Sequence, residues 1–335
     1  MPLKTFALSI ALAVGFAGSA LAQTRPTLTV YSYSSFIGKY GPGKVVEERF
    51  EASCGCDLVW VSAEDAGSLV GRLRLEGETT KADVVLGLDM NLAAEAKAMG
   101  LFAKHELPGG QLSMPIAWSD DLFIPFDWGH LAFVYDLDKL KAPPASLKDL
   151  VENPNGPSVV IQDPRTSAPG LGLLLWMRQV YGERAGEAWR KLNPRVVTVT
   201  KGWSEAYGLF LKGEADMVLS YSTSPAYHVG VEKKTNYRAA SFAEGHYLHV
   251  ELAGLTRTAK QPELARRFLS FVLSEPFQSA MPEGSWMFPA KAPPAGLPAS
   301  FADLIQPSKT LLFTPEEVHR DRRTFTDEWL NATAR

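Results

Sequence analysis

The chain has 335 residues, of which 46% are hydrophobic and 21% are charged, and its formal net charge is −3. Charges of both signs are interspersed and no basic stripe is present, which argues against a nucleic-acid partner. The only cysteines, Cys54 and Cys56, are too few for a zinc site, and the sequence leaves open whether they form a local disulfide or stay free thiols.

The first 22 residues predict a secretory signal peptide. Lys4 precedes an uncharged apolar run, and Ala20-Leu21-Ala22 is a small-residue motif after which we expect cleavage. The apolar run is shorter than the roughly 20 residues that a membrane-spanning helix needs, so a permanent anchor is the weaker interpretation. We therefore expect an exported periplasmic protein of about 313 residues, not inserted in the membrane after cleavage and long enough for two lobes.

The first part of the mature chain predicts strands and helices in alternation. We expect strands over residues 28–34, 57–62 and 82–88, and helices over 45–52, around 69–75 and over 91–99. Such strand–helix units are typical of a parallel sheet that helices cover on both faces. Tyr33, Asp65 and Ala66 then lie at the carboxyl ends of strands, where ligands of open α/β sheets gather.

The pattern changes at residues 123–135, a long aromatic run interrupted by Pro125 and Gly129. This run predicts a strand that leaves one lobe and enters another. The chain beyond it predicts strands over 159–162, 196–200, 216–221 and 247–252, and helices from about 147, over 171–181, from Ser204, over 262–273 and from a capping box at Thr314 and Glu317. The β-branched run 196–200 is expected to be a buried strand.

Aromatic and hydroxyl side chains collect where the second-lobe strands end. They suit a flat, partly polar small molecule better than a protein partner. The residues concerned are Trp203, Tyr221, Ser222, Thr223, Ser224 and Tyr227, with Trp286 in an irregular aromatic loop over 284–289. In contrast, Trp60, Trp176 and Trp189 lie in predicted strands or helices and are interpreted as core residues.

Three chemical features point to one type of ligand. Aromatic faces attract cations, the carboxylate of Asp65 can accept a hydrogen bond from an amine, and Ser167 lies before a predicted helix whose N-terminus favours an anion. A planar cation that carries an amino group and a hydroxyl or phosphate tail would use all three.

Other chemistries are less well supported. Gly202-Trp203-Ser204-Glu205-Ala206 approaches the nucleophile elbow of a secreted serine hydrolase, but it lacks the last glycine, and Ser204 is equally suited to cap a helix. His246 and His249 are three residues apart on a predicted strand, so they face opposite sides and should not share a metal. We expect no catalytic residue, no metal and no cofactor.

Several long runs resemble the family of periplasmic thiamine-binding receptors, the solute receptors of bacterial thiamine ABC importers. The matching runs are VLGLD, QDPRTSAPGLGLLLW, TVTKGWSEAYGLFLKGEAD, VLSYSTSPAYH and EGHYL. The resemblance covers nearly the whole mature chain. It implies an α/β type II periplasmic binding protein fold, in which two α/β lobes enclose a ligand cleft and strands cross the hinge.

By this resemblance, lobe 1 comprises residues 23–128 and 248–295, and lobe 2 comprises 129–247 and 296–335. The implied ligand contacts are Asp65, Ala66, Ser167, Ala168, Trp203 and Tyr221 to Ser224, with Tyr33, Tyr227 and Trp286 as aromatic neighbours. Ala66 stands where the family usually has Gly, and Ala168 where Thr is common. The implied ligands are thiamine and its phosphates, and the implied partners of the monomeric receptor are the permease and ATPase subunits of an importer. A polyamine or ferric-ion receptor of the same fold is the alternative.

Overall fold

The computed structural model describes residues 25–334. The predicted signal peptide, residues 1–22, lies outside the described residues. Across the described part of the chain, no helix combines the length and the apolar character that crossing a membrane would require.

The first half of the described chain forms four strands and four α-helices, close to the expected positions. The strands are β1 (Thr27–Tyr33), β2 (Asp57–Ala63), β3 (Val84–Asp89) and β4 (Ile124–Asp136). The helices are α1 (Ser34–Ile37), α2 (Gly43–Cys54), α3 (Ala66–Glu76) and α4 (Ala93–Ala98).

The second half supplies seven strands and nine α-helices within the described residues. The strands are β5 (Val159–Gln162), β6 (Val196–Thr200), β7 (Met217–Tyr221), β8 (Tyr237–Ala239), β9 (His246–Leu255), β10 (Phe288–Pro289) and β11 (Thr310–Leu311). The helices are α5 (Leu147–Glu152), α6 (Ala168–Tyr181), α7 (Ala185–Leu192), α8 (Trp203–Leu211), α9 (Pro225–Tyr227), α10 (Pro262–Val272), α11 (Glu275–Gln278), α12 (Met281–Gly284) and α13 (Pro315–Thr333).

The main strands are ordered β2-β1-β3-β9-β4-β7-β5-β6. The outer strands pair in parallel on each side, as the alternating pattern predicts. The two central strands, β9 and β4, run antiparallel to each other and to their neighbours in this order, so the sheet is mixed and not wholly parallel. Both are long, and the predicted lobe boundaries at 128/129 and 247/248 fall within them. This topology is the expected α/β periplasmic binding protein fold, with β4 and β9 as the crossing strands.

The core is built on both faces of this sheet. Trp176 and Trp189 are buried on α6 and α7, and Trp60 is partly buried beside Phe268, so the core interpretation of these three tryptophans is confirmed. The predicted strand β6 is present, but the expectation that it is buried is wrong for its middle residues. Val197 and Val199 are 45% and 39% exposed because β6 is the edge strand of the sheet, where one face lacks a covering helix.

Local geometry settles two questions that the sequence left open. Cys54 and Cys56 form a disulfide around the left-handed Gly55 that ends α2. Gly202, and not Ser204, is the N-cap of α8, which leaves Ser204 exposed in the first helical turn.

The capping box of α13 is formed as predicted. The Thr314 hydroxyl accepts from the Glu317 amide, and the Glu317 carboxylate accepts from the Thr314 amide. Replacing Thr314 with alanine should lower the free energy of unfolding by about 1 kcal/mol, because one amide loses its acceptor. Thr314→Ser keeps the acceptor and is the control. Chemical denaturation checks the pair, and equal losses in both variants would contradict the cap assignment.

Candidate functional site

The first part of the site lies where the start of α3 meets the start of α6. The Asp65 side chain is the N-cap of α3, and its Oδ1 accepts from the amides of Ala66 (2.7 Å) and Ala168 (3.1 Å). The Ser68 amide donates to the Thr166 carbonyl at 3.2 Å. Gly67 permits this approach, because a Cβ there would lie 2.7 Å from the Thr166 backbone. The two segments are therefore in direct contact, and Asp65 bridges them.

The contact with Asp65 places a carboxylate at the N-terminus of α6. Ser167 is its N-cap and is buried, and its side chain accepts from the Gly170 amide, while the next amide, of Ala168, donates to Asp65. The positive end of a helix favours an anion, and in this structure the anion that occupies it is the Asp65 carboxylate. A phosphate would have to share this position with Asp65.

A second group surrounds Trp203. Its Nε1 donates to Ser220 Oγ at 2.8 Å, Ser220 is hydrogen-bonded to Ser224 Oγ, and the Tyr221 amide also donates to Ser224. The Trp203 ring stacks on Tyr207 with 4.9 Å between the centroids. These contacts fix the orientation of a ring that stays partly exposed.

Tyr33, at the end of β1, forms a third part of the site. Its hydroxyl donates to Glu251 Oε2 at 2.6 Å. Its ring packs over Gly87, where a Cβ would lie 2.3 Å from Tyr33 Cδ1, and the φ of Gly87 is +103°. Only glycine meets both requirements without strain, so Gly87 determines where the Tyr33 ring can lie.

Four carboxylates lie within electrostatic reach of one another around the hydroxyls of Tyr33 and Tyr221. They belong to Asp65, Asp89, Asp127 and Glu251, and we call them the carboxylate cluster. All four are at least nine-tenths buried. Within residues 25–334 none of them is ion-paired with a lysine or arginine; their one partner of this kind is His249, 3.7 Å from Asp89 and 3.6 Å from Glu251.

The protonation behaviour of the cluster follows from its burial. Burial raises the pKa of Asp65 to about 6, against the hydrogen bonds that stabilise its charge. Burial also raises the pKa of Asp89, and burial followed by the charge of Glu251 raises that of Asp127 well above its usual range. For His249, burial disfavours the charged imidazolium, but the carboxylates of Glu251 and Asp89 beside it outweigh this effect and raise its pKa. The site is thus an environment short of positive charge.

The other expected site residues have contacts of their own outside the carboxylate cluster. Tyr227 and Trp286 pack edge to face, 5.4 Å between centroids. The Thr223 hydroxyl points to Met287 Sδ, and Ser222 lines a separate cavity with Trp128 and His130. The structure therefore brings Asp65, Ser167, Tyr33, Tyr221, Trp203 and Ser224 around one region and places Ser222 and Thr223 beside it.

Sequence reasoning missed Asp89, Asp127, His249 and Glu251. A signal was present, since charged residues are rare in buried strands, yet β9 carries His249 and Glu251 at alternate positions of a buried and largely apolar run. The expectation that His246 and His249 face opposite sides is confirmed. His246 is bonded to the Leu131 carbonyl and the Phe242 amide, away from the cluster.

Two alternative chemistries have little structural support. Ser204 is exposed, and no histidine is hydrogen-bonded to it in the described part of the chain. Among residues 25–334, no group of three or more His, Cys, Asp or Glu side chains is arranged to hold a metal ion.

The packing of Tyr33 over Gly87 yields a prediction about the site. Gly87→Ala should lower the free energy of unfolding by about 2 kcal/mol, through backbone strain, and should also displace Tyr33. Gly71→Ala is the control, because Gly71 lies within α3 with nothing near its Cβ position, and it should stabilise the protein by about 0.5–1 kcal/mol. Thermal or chemical unfolding tests this; a neutral Gly87→Ala would contradict the packing argument.

Comparison with known proteins agrees with this architecture. Residues 28–283 match the model of a family described as bacterial extracellular solute-binding protein. The thiamine-binding periplasmic protein of Escherichia coli (strain K12) is 57% identical over 311 residues, which is 93% of this chain and 94% of that protein. Its counterpart in Brucella suis biovar 1 is 50% identical over 335 residues, 100% of this chain and 99% of that protein.

A solved structure of a periplasmic thiamin binding protein superposes with a TM-score of 0.91 at 56% identity, covering 93% of this chain and 97% of that one. Sequence identity and fold therefore agree over nearly the whole length. The chain belongs to the bacterial extracellular solute-binding protein family.

Proposed function

We propose that this protein is a periplasmic receptor that captures thiamine and delivers it to the permease and ATPase subunits of an ABC importer. The observation that carries the proposal is the carboxylate cluster, which is buried around the hydroxyls of Tyr33 and Tyr221 with no lysine or arginine paired to it among the described residues. Such a site favours an organic cation. The names of the relatives, at 50–57% identity, supply the specific ligand.

A cationic ligand would offset the negative charge of the site. Uncompensated buried carboxylates are costly, and a ligand cation that enters among them recovers part of this cost. Aromatic faces add about 0.5–2 kcal/mol per contact to a cation. The thiazolium ring of thiamine supplies the charge, and its aminopyrimidine supplies hydrogen-bond donors that a carboxylate can accept.

Receptor action requires that binding and closure be coupled. The two lobes are joined through β4 and β9, and at the opposite side they meet where Asp65 accepts from Ala168 and Ser68 donates to Thr166. A ligand that contacts both lobes stabilises this closed arrangement. The closed form is then the one that the importer receives.

We extend the proposal to thiamine monophosphate and diphosphate. Their phosphates would approach the N-terminus of α6, where backbone amides favour an anion. Asp65 already occupies that position. The helix end therefore raises the affinity for phosphate esters, and repulsion by the Asp65 carboxylate lowers it.

The direct test is calorimetric titration of protein freed of carried-over ligand by unfolding and refolding. We expect tight one-to-one binding of thiamine without chemical turnover. Spermidine and ferric ion are the comparison ligands for the alternative receptors of this fold. Tighter binding of either one, or turnover of an ester that Ser204→Ala abolishes, would refute the proposal.

The aromatic contacts can be tested separately. Trp203→Ala and Tyr221→Ala should each weaken thiamine binding by about 1–3 kcal/mol, because a π-face beside the cation is lost. Trp203→Phe keeps an aromatic face and should lose less. Both alanine variants should remain folded, as judged by circular dichroism. If both alanine variants bound thiamine as tightly as the wild type, Trp203 and Tyr221 would not contact the ligand.

Asp65 offers a test in which stability and affinity change in opposite directions. The folded protein binds the Asp65 proton more tightly than the unfolded chain, since burial raises its pKa to about 6. The proton on Asp65 therefore contributes up to about 3 kcal/mol to the free energy of unfolding. This contribution is complete below about pH 4 and is lost as the pH rises through about 6. Asp65→Asn can still accept from both amides but carries no charge.

We expect Asp65→Asn to be at least as stable as the wild type at pH 7.5 and to bind thiamine at least tenfold more weakly. Its preference should also shift toward thiamine monophosphate, because the repulsion at the α6 N-terminus is removed. Unfolding curves at pH 4 and 7.5, with titrations of both ligands, provide the measurement. Unchanged thiamine affinity would leave Asp65 with a capping role alone.

A further inference from the structure

Two members of the carboxylate cluster form a pair on the crossing strands. A bulge between Pro125 and Asp127 sets Asp127 directly opposite Glu251 across β4 and β9. Proline cannot donate to the ladder, which explains why the pairing shifts there. Directly opposed residues on neighbouring antiparallel strands have Cβ atoms about 5 Å apart, so the two carboxyl groups are neighbours on one face of the sheet, and both residues are buried. Two carboxylates that lie side by side in a buried site cannot both be ionised without a large cost.

The surroundings leave one oxygen of this pair free. Asp127 Oδ2 accepts from Ser285 at 2.9 Å, and Glu251 Oε2 accepts from Tyr33 at 2.6 Å. Asp127 Oδ1 is buried without a hydrogen-bond partner, and so is His249 Nε2 beside it. An unpartnered buried oxygen next to the site is the position where a donor or a positive charge would be stabilised.

The charged groups around the pair come from several elements. Asp65 at the start of α3 and Asp89 at the end of β3 add negative charge, while His249 on β9 is the nearest basic group. Tyr33 and Tyr221 contribute hydroxyls whose pKa values are raised well above the usual range by burial and then by Glu251. Arg322 acts on Asp89 from α13 but is ion-paired with Glu95.

We propose that Asp127 and Glu251 hold one proton between them in the unliganded protein, and that a bound monocation expels this proton to solvent. The pair carries one negative charge before binding and two afterwards, so the uptake of one positive charge leaves the net charge of the site unchanged. This inference rests on the proposed function, because it takes the ligand to be a monocation such as thiamine.

The shared proton can be observed without any ligand. The infrared spectrum of the unliganded protein at about pH 7.5, where Asp65 is ionised, should contain the C=O stretch of a protonated carboxylic acid. Asp127→Asn and Glu251→Gln should each abolish that band, whereas Asp83→Asn should not. Asp83 is a matched control, since it is also buried but bonds only to the amides of Thr29 and Lys260, outside the site.

The release of the proton is measured by titrating thiamine in buffers of different ionisation enthalpy between about pH 7 and 8.5. The wild type should release about one proton per thiamine, and its affinity should rise as much as tenfold per pH unit until the free pair loses its proton. The variants Asp127→Asn and Glu251→Gln should bind thiamine more weakly and release almost no proton. Their affinity for thiamine should no longer depend on pH. Asp83→Asn should behave as the wild type does.

The outcomes separate the two proposals. Failure of the wild type to bind thiamine would overturn the proposed function, and this inference with it. Binding without proton release, or equal release in the wild type and in Asp127→Asn, would overturn the inference and leave the function standing. Should one variant fail to fold, the other provides the comparison with the wild type, and a wild type that releases no proton or lacks the protonated-carboxyl band before thiamine is added would overturn the inference in either case.

Discussion

The structure depends on one costly arrangement, the burial of four carboxylates around two tyrosine hydroxyls with a single histidine as their basic partner among the described residues. Proteins rarely bury negative charge without compensation, because desolvation opposes it. The cost is tolerated where a ligand supplies the missing charge. The crossing strands β4 and β9 hold Asp127, His249 and Glu251, so the strands that join the lobes also carry the charge of the site.

The same logic links ligand charge to closure. Asp65 reaches from the start of α3 to the start of α6, so a negative group already occupies the helix end that could bind a phosphate. Without a ligand, the contact between Asp65 and Ala168 favours the approach of the two lobes. With a ligand bound, the Asp65 carboxylate disfavours a second anion at the N-terminus of α6. The site therefore combines two electrostatic demands, one for a cation beside the carboxylate cluster and one for an anion at the N-terminus of α6.

The sequence predicted most of the fold, because strand and helix periodicity is local. It placed β5 and the capping box of α13 correctly, and the resemblance identified the two-lobe fold. It did not predict the mixed sheet or the exposed β6, since strand order is decided by contacts between distant segments. The carboxylate cluster was missed for a similar reason. Its members come from α3, β3, β4 and β9, and no short motif unites them.

The central claim is that the site recognises positive charge. It is tested most directly by comparing the affinity of thiamine with that of an isosteric analogue whose thiazolium ring is replaced by a neutral thiophene. Shape and hydrogen-bonding groups are then nearly constant and only the charge differs. The account predicts that the neutral analogue binds at least about a hundredfold more weakly, equivalent to about 2.7 kcal/mol. Equal affinity for the two compounds would contradict it.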